Sequence, residues 1–213
     1  MTYSVKEIFY TLQGEGVQIG KPAVFCRFSG CNLWTGREVD REKAICQFCD
    51  TDFVGTDGTN GGKYRTASEL CEAIAAQWPS QDIDNRLVVM TGGEPVLQLD
   101  SELIAALHTR NFKIALETNG TIPVPDGVDW VCVSPKANAS LKQLSGNELK
   151  LVFPQADLLP DDLAHDALQF EHFLLQPMDG PALKENTAAA IAYCQDHPKW
   201  RFSVQSHKII GIR

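Results

Sequence analysis

Long apolar runs are missing from this 213-residue chain, so no segment reads as a membrane span. The start, Met1-Thr2-Tyr3-Ser4-Val5-Lys6-Glu7, has no basic stretch leading into an apolar one. That argues against a secretory signal and for a cytoplasmic protein. Positive charge is also scarce. Nineteen Lys and Arg against 27 Asp and Glu leave a formal net charge of −8, which argues against broad binding to nucleic acid. Repeats and low-complexity segments are absent. The seven cysteines are odd in number, and in a cytosolic chain they point to metal or redox use rather than a disulfide framework. What remains is an ordinary globular composition, 44% hydrophobic and 22% charged. We expect residues 1–213 to form a single domain.

Short apolar runs alternate with helical ones. Val5–Phe9, Ala23–Phe28, Leu87–Met90, Lys113–Glu117, Trp130–Val133, Glu148–Phe153, Phe173–Gln176 and Phe202–Gln205 read as strands. Thr66-Ala67-Ser68-Glu69 is a capping box that predicts a helix to about Trp78, stopped by Pro79. Asp100 caps a second helix to about Thr109, and a third is expected from Thr187 to Asp196. Residues 30–64 form a long irregular stretch. The alternation predicts an α/β fold with a parallel sheet and helices outside it. A complete eight-unit barrel takes roughly 250 residues, so an incomplete, open βα barrel is expected here. Five strands are followed by polar clusters: Gln13–Gly16, Gly92–Pro95, Glu117–Gly120, Ser134–Lys136 and Gln176–Asp179. In a parallel sheet, such clusters at the carboxyl ends of the strands mark a site.

Cys46-Gln47-Phe48-Cys49 brings two thiols within one turn, with Cys31 fourteen intervening residues earlier and no histidine nearby. Three thiolates suit a [4Fe–4S] cluster with one iron left open. The alternative is structural zinc, with Cys26 or Asp50 as fourth ligand. Cys26 alternates with Val24 and Phe28 on an apolar face, and Cys71, Cys132 and Cys194 read as packing residues. Thr91-Gly92-Gly93-Glu94-Pro95 follows a buried strand directly, where glycine lets a ligand approach the backbone. By residue type, Arg27 is suited to a carboxylate and Glu15 to paired N–H donors. Asp50 and Thr51 offer hard oxygens for Mg²⁺, or form an ordinary turn.

The cysteine trio with Gly92-Gly93-Glu94-Pro95 resembles the radical SAM (S-adenosylmethionine) enzymes. The resemblance narrows through Tyr10–Gly16, Phe25–Phe28, the fourteen-residue cysteine gap, Phe48–Phe53, Glu117–Gly120, Ser134–Lys136, Gln176–Gly180 and Ser206–Lys208. Together these are similar to the 7-carboxy-7-deazaguanine synthases, over almost the whole chain. The resemblance implies a lyase that converts 6-carboxy-5,6,7,8-tetrahydropterin to 7-carboxy-7-deazaguanine by ring contraction with loss of ammonia, on the route to the queuosine base of tRNA. It implies a [4Fe–4S] cluster on Cys31, Cys46 and Cys49, with SAM cleaved to a 5′-deoxyadenosyl radical, and Mg²⁺ at Thr51 and Asp50. SAM is then expected against Phe48, Gly93, Glu94, Glu117, Asn119, Ser134, Pro135, Lys136, Gln176, Pro177, Met178 and Asp179. Substrate is expected against Leu12, Gln13, Gly14, Glu15, Arg27, Thr91, His207 and the terminus at Arg213. A homodimer and an electron donor such as flavodoxin or ferredoxin are implied as partners. A glycyl-radical activase, the competing radical SAM reading, calls for the shorter cysteine gap. The charged stretch Arg37–Lys43 reads as a solvated face of the cysteine loop.

Overall fold

A computed structural model describes residues 2–79 and 81–213. Among them, nine strands form one sheet: β1 (Tyr3–Leu12), β2 (Pro22–Phe28), β3 (Gly62–Tyr64), β4 (Leu87–Gly92), β5 (Lys113–Thr118), β6 (Trp130–Val133), β7 (Ser145–Phe153), β8 (Gln169–Pro177) and β9 (Trp200–Phe202). Their order is β3-β1-β2-β4-β5-β6-β7-β8-β9. Strands β2 to β9 run parallel, while β1 joins β2 and β3 antiparallel. The outermost strands β3 and β9 do not pair with each other, so the barrel stays open, as expected. No helix among the described residues is long and apolar enough to cross a membrane.

The two-residue period of the strands divides the side chains between two faces. One face packs under helices. Val24, Cys26, Phe28, Val88, Met90, Ile114 and Leu116 join residues of α1 (Ala67–Ala75) and α2 (Ser101–Thr109) in a single core. Leu149, Leu151, Phe173 and Leu175 do the same beside Ala190 of α3 (Leu183–Asp196). The opposite face starts apolar, with Ala23, Leu87, Val89 and Ala115. Two residues further along each strand it turns polar: Phe25 gives way to Arg27, Val89 to Thr91, Ala115 to Glu117 and Leu174 to Gln176. Parallel register lines these up, with Arg27 opposite Thr91, Glu117 opposite Cys132, and Cys132 opposite Glu148.

Several boundaries differ from the sequence pattern. Helix α1 ends at Ala75, and single turns carry the chain to Trp78. The Thr66 hydroxyl accepts the Glu69 N–H at 3.1 Å, but the Glu69 carboxylate takes the Arg65 N–H at 2.7 Å rather than that of the cap residue itself. Residues 30–64 contain a 3-10 turn, Glu38–Lys43, and the short strand β3, which seals one side of β1. The last strand is Trp200–Phe202, earlier than expected, because the following residues are drawn away from the sheet. Ser203 Oγ donates to Gln176 at 3.1 Å, Gln205 Nε2 to Glu15 at 2.9 Å, and the Ser206 N–H to the Gly14 carbonyl at 2.9 Å. The short helix α4 (Ser206–Ile210) thereby lies across the strand ends.

Asp100 ties the first strand to the first core. Its carboxylate accepts the Leu103 N–H at 2.9 Å as a helix cap and the hydroxyl of fully buried Tyr3 at 2.8 and 2.9 Å. Asp100→Ala should cost about 2 kcal/mol in urea unfolding, since it removes a cap and orphans a buried hydroxyl. Tyr3→Phe should cost about 1 kcal/mol and add little on top of Asp100→Ala. Fully additive losses would show that the two residues act independently.

Candidate active site

A cavity of about 400 Å³ opens at the carboxyl ends of the strands. It is lined from the β1–β2 loop, the cysteine loop, the ends of β4 to β8, and the C-terminal segment. Of the residues singled out from the sequence, Leu12, Gln13, Gly14, Glu15, Arg27, Phe48, Thr91, Gly93, Glu117, Asn119, Ser134, Lys136, Gln176, Pro177, Met178, Asp179, His207 and Arg213 all line it. Cys31, Cys46, Cys49, Asp50 and Thr51 line it as well. Glu94 and Pro135 do not. The Glu94 carboxylate is buried beneath the glycine turn, where it accepts from Thr118 Oγ1 at 2.8 Å, Asn119 N at 2.8 Å and Val96 N at 3.0 Å. It bolts the end of β4 to the end of β5. Burial raises its pKa despite those three donors.

The three thiols meet at this cavity with backbone donors already turned to them. Cys31 is served by the N–H groups of Leu33 (3.4 Å) and Trp34, Cys46 by Phe48, and Cys49 by Thr51. Such donors favour thiolate. A hydrogen bond from Cys46 lowers the Cys49 thiol and raises its partner's, and burial raises Cys31. Among the described residues, no three His, Cys, Asp or Glu side chains are grouped to hold a single metal ion. Cys26 is buried in the helix-side core and takes no part. Gly93 passes so close to this loop that a Cβ there would strike the Gly30 carbonyl and Cys31. The glycine is a steric requirement of the fold.

The rest of the cavity is built from paired opposite charges. Lys150 sits on β7 between two residues of the helix-side core, so its side chain enters the barrel. Its ammonium is 5% exposed and donates to Glu15 at 2.7 Å and Glu117 at 2.9 Å. Burial alone would raise the Glu15 carboxyl, but the Lys150 charge and hydrogen bonds from Lys150, Gln205 and Gln176 bring it down to about 2. Burial works to discharge Lys150, and the charges around it hold its pKa well above the ordinary lysine value. Glu7 bridges Arg27 (2.9 Å) and Arg213, whose guanidinium lies 4.5 Å over the Phe9 ring. Lys208 joins Asp50 (2.5 Å) and Asp179 (2.6 Å), linking the cysteine loop to the β8 end. Lys136, 5.9 Å from the centre of the Phe48 ring, donates to Ser134 O at 2.6 Å and Oγ at 2.7 Å. Burial lowers its pKa, and the neighbouring Cys46 and Cys49 oppose that.

Comparison with known proteins agrees with this geometry. The chain is 67% identical over 212 residues to the 7-carboxy-7-deazaguanine synthase of Caulobacter vibrioides, and 62% identical over 213 to that of Bradyrhizobium diazoefficiens. Each match spans 100% of both proteins. The chain belongs to the 7-carboxy-7-deazaguanine synthase family. A crystal structure of QueE from Escherichia coli superposes with a TM-score of 0.70 at 28% identity, covering 97% of this chain and 95% of that one. No family model matches.

Lys150, Glu7 and Gln205 are among the residues of this synthase-family cavity that sequence reading passed over. Only Lys150 left a trace, as a lone cation flanked by Leu149 and Leu151 in an apolar strand. Lys150→Met should destabilise the fold by about 3–5 kcal/mol near neutral pH, because it leaves buried carboxylates uncompensated. Glu15, with a folded pKa of about 2 against an ordinary 4.5, contributes stability that is complete above 4.5 and is lost as pH falls toward 2. The gap between wild type and variant should therefore narrow as pH drops through that window. A gap independent of pH would mean that Lys150 acts by packing alone.

Proposed function

We propose that this chain converts 6-carboxy-5,6,7,8-tetrahydropterin to 7-carboxy-7-deazaguanine, with loss of ammonia, on the way to the queuosine base of tRNA. The observation that carries this reading is full-length identity of 67% to a protein of that activity, with the motif residues gathered around one cavity. A [4Fe–4S] cluster with SAM supplies, when bound, the radical that starts the ring contraction. Cys31, Cys46 and Cys49 would hold the cluster. Phe48, Gly93, Ser134, Lys136, Gln176 and Met178 line the same cavity and would seat SAM.

The substrate end has complementary chemistry. Arg27, steadied by Glu7, presents a cationic fork to a carboxylate. Glu15 is kept ionised by Lys150 and accepts N–H donors from the pyrimidine edge, beside the backbone of Leu12, Gln13 and Gly14. His207 packs so closely on Gly14 that a Cβ there would overlap its ring, so α4 closes the cavity over this edge and helps exclude water. Thr51 and Asp50 would supply hard oxygens to hold Mg²⁺, Asp50 being paired with Lys208. We read residues 1–213 as one radical SAM domain that acts in the cytoplasm as a homodimer and draws electrons from a flavodoxin or ferredoxin.

Anaerobically reconstituted protein given SAM, reductant and the carboxytetrahydropterin should yield the deazaguanine, identified by mass. Formation of 5′-deoxyadenosine without that product would point to a different substrate. Cys49→Ala should lose 5′-deoxyadenosine formation altogether; retained cleavage would remove Cys49 from the ligand set. Arg27→Ala should raise KM for the pterin roughly tenfold or more while leaving KM for SAM little changed. Equal effects on both would make Arg27 structural.

A further inference from the structure

Arg41 lies in the fourteen-residue gap between Cys31 and Cys46, in the stretch that reads from sequence as a solvated face. Its surroundings are otherwise. The guanidinium lies 4.0 Å from the centre of the Trp34 ring. Trp34 is buried, meets the Phe53 ring edge-on at 5.7 Å, and donates its indole N–H to the Arg37 carbonyl at 3.2 Å. Arg41 Nε and Nη2 form a fork on Glu38, at 2.7 and 2.6 Å. The remaining nitrogen, Nη1, donates to the carbonyl oxygens of Gln47 at 2.8 Å and Cys49 at 3.0 Å. The Arg41 side chain is 28% exposed, while its partner Glu38 is 75% exposed.

Those two carbonyls belong to the Cys46–Cys49 turn, which lies in neither helix nor strand and so has no ladder of backbone bonds to hold it. Two further hydrogen bonds tie it to gap residues. The Cys46 N–H donates to the Leu33 carbonyl at 3.4 Å, and Gln47 Nε2 donates to the Glu42 carbonyl at 2.9 Å. We propose that Arg41 is a positioning residue: anchored on Trp34 and Glu38, it clamps the Gln47 and Cys49 carbonyls and so sets the C-x-x-C turn in the shape that receives the iron–sulfur cluster. This rests on the reading of Cys31, Cys46 and Cys49 as cluster ligands. It also gives the long cysteine gap a physical task, since the inserted residues carry both the clamp and its aromatic base.

Two consequences separate this role from general loop packing. Residues just outside a metal's ligands commonly change its affinity by about 10–100-fold, so loosening the turn should speed loss of iron. A fixed cation beside the thiolates also favours the more negative, reduced state of the cluster. Lysine keeps the charge but lacks the planar fork that spans Glu38 and two carbonyls.

The test uses full-length wild type, Arg41→Gln and Arg41→Lys, each reconstituted anaerobically with iron and sulfide. Far-UV circular dichroism checks the fold, chelator challenge gives the rate of iron loss, and an EPR-monitored redox titration gives the midpoint potential. Both variants should lose iron roughly tenfold faster than wild type. Arg41→Gln should have a more negative midpoint than wild type, and Arg41→Lys should stay near it. Iron loss and midpoint unchanged in Arg41→Gln would overturn the clamp while leaving the cluster assignment intact. If the glutamine variant does not fold, unchanged iron loss in Arg41→Lys overturns it. A wild type that takes up no cluster overturns both.

Discussion

Parallel pairing of β2 with β4, and of β4 onward through β9, is the constraint on which the rest of this molecule depends. It brings the carboxyl ends of those strands to one rim. It also means that a single residue's change from apolar to polar, two positions further along each strand, builds a polar chamber on an apolar floor. Val89 and Ala115 belong to that floor. Thr91 and Glu117 belong to the chamber. A one-residue slip in any strand would send its chamber residue into the helix-side core. The glycine turn after β4 is locked by Glu94 to the end of β5, so the register of one strand pair fixes the place of the next loop.

Within the chamber, charge is matched before any ligand arrives. Lys150 serves Glu15 and Glu117, Glu7 serves Arg27 and Arg213, and Lys208 serves Asp50 and Asp179. Each set joins segments far apart in the chain, so the contacts that pair opposite charges in a partly dry space also hold the cavity walls together. The C-terminal segment takes part through Gln205, Lys208 and Arg213. It belongs to the wall of the site rather than to a loose tail. A substrate carrying one carboxylate and one edge of N–H donors would find its complements in Arg27 and Glu15, each already oriented by its own partner.

Much of this was legible in the sequence because it depends on local pattern. Six of the expected strands lie within observed ones with little shift, and Trp130–Val133 coincides. The polar clusters that follow strands named a good part of the cavity lining, since the carboxyl ends of parallel strands converge; Gln13–Gly16 follows antiparallel β1 and joins them as the β1–β2 loop. The missed features depend on distance along the chain. Glu15 and Lys150 meet across 135 positions, and Glu7 and Arg213 across 206, and no local period reveals such pairs. The stretch Arg37–Lys43 is largely exposed, as expected, but Arg41 within it is an exception. A charge-rich stretch reads as solvated, but this arginine finds an aromatic face and two carbonyls only once the cysteine loop has folded. The short β9 and the turn into α4 were displaced because side-chain bonds to Gly14, Glu15 and Gln176 outcompete continued sheet pairing.

The central claim is that Cys31, Cys46 and Cys49 would hold a [4Fe–4S] cluster with one iron open to SAM. EPR of the reduced protein, recorded with and without SAM and then with SAM labelled at its amino nitrogen or carboxylate oxygen, addresses it most directly. The account predicts a [4Fe–4S] signal that changes when SAM is added and shows coupling to the label. A signal indifferent to SAM, or a colourless protein carrying zinc, would contradict it.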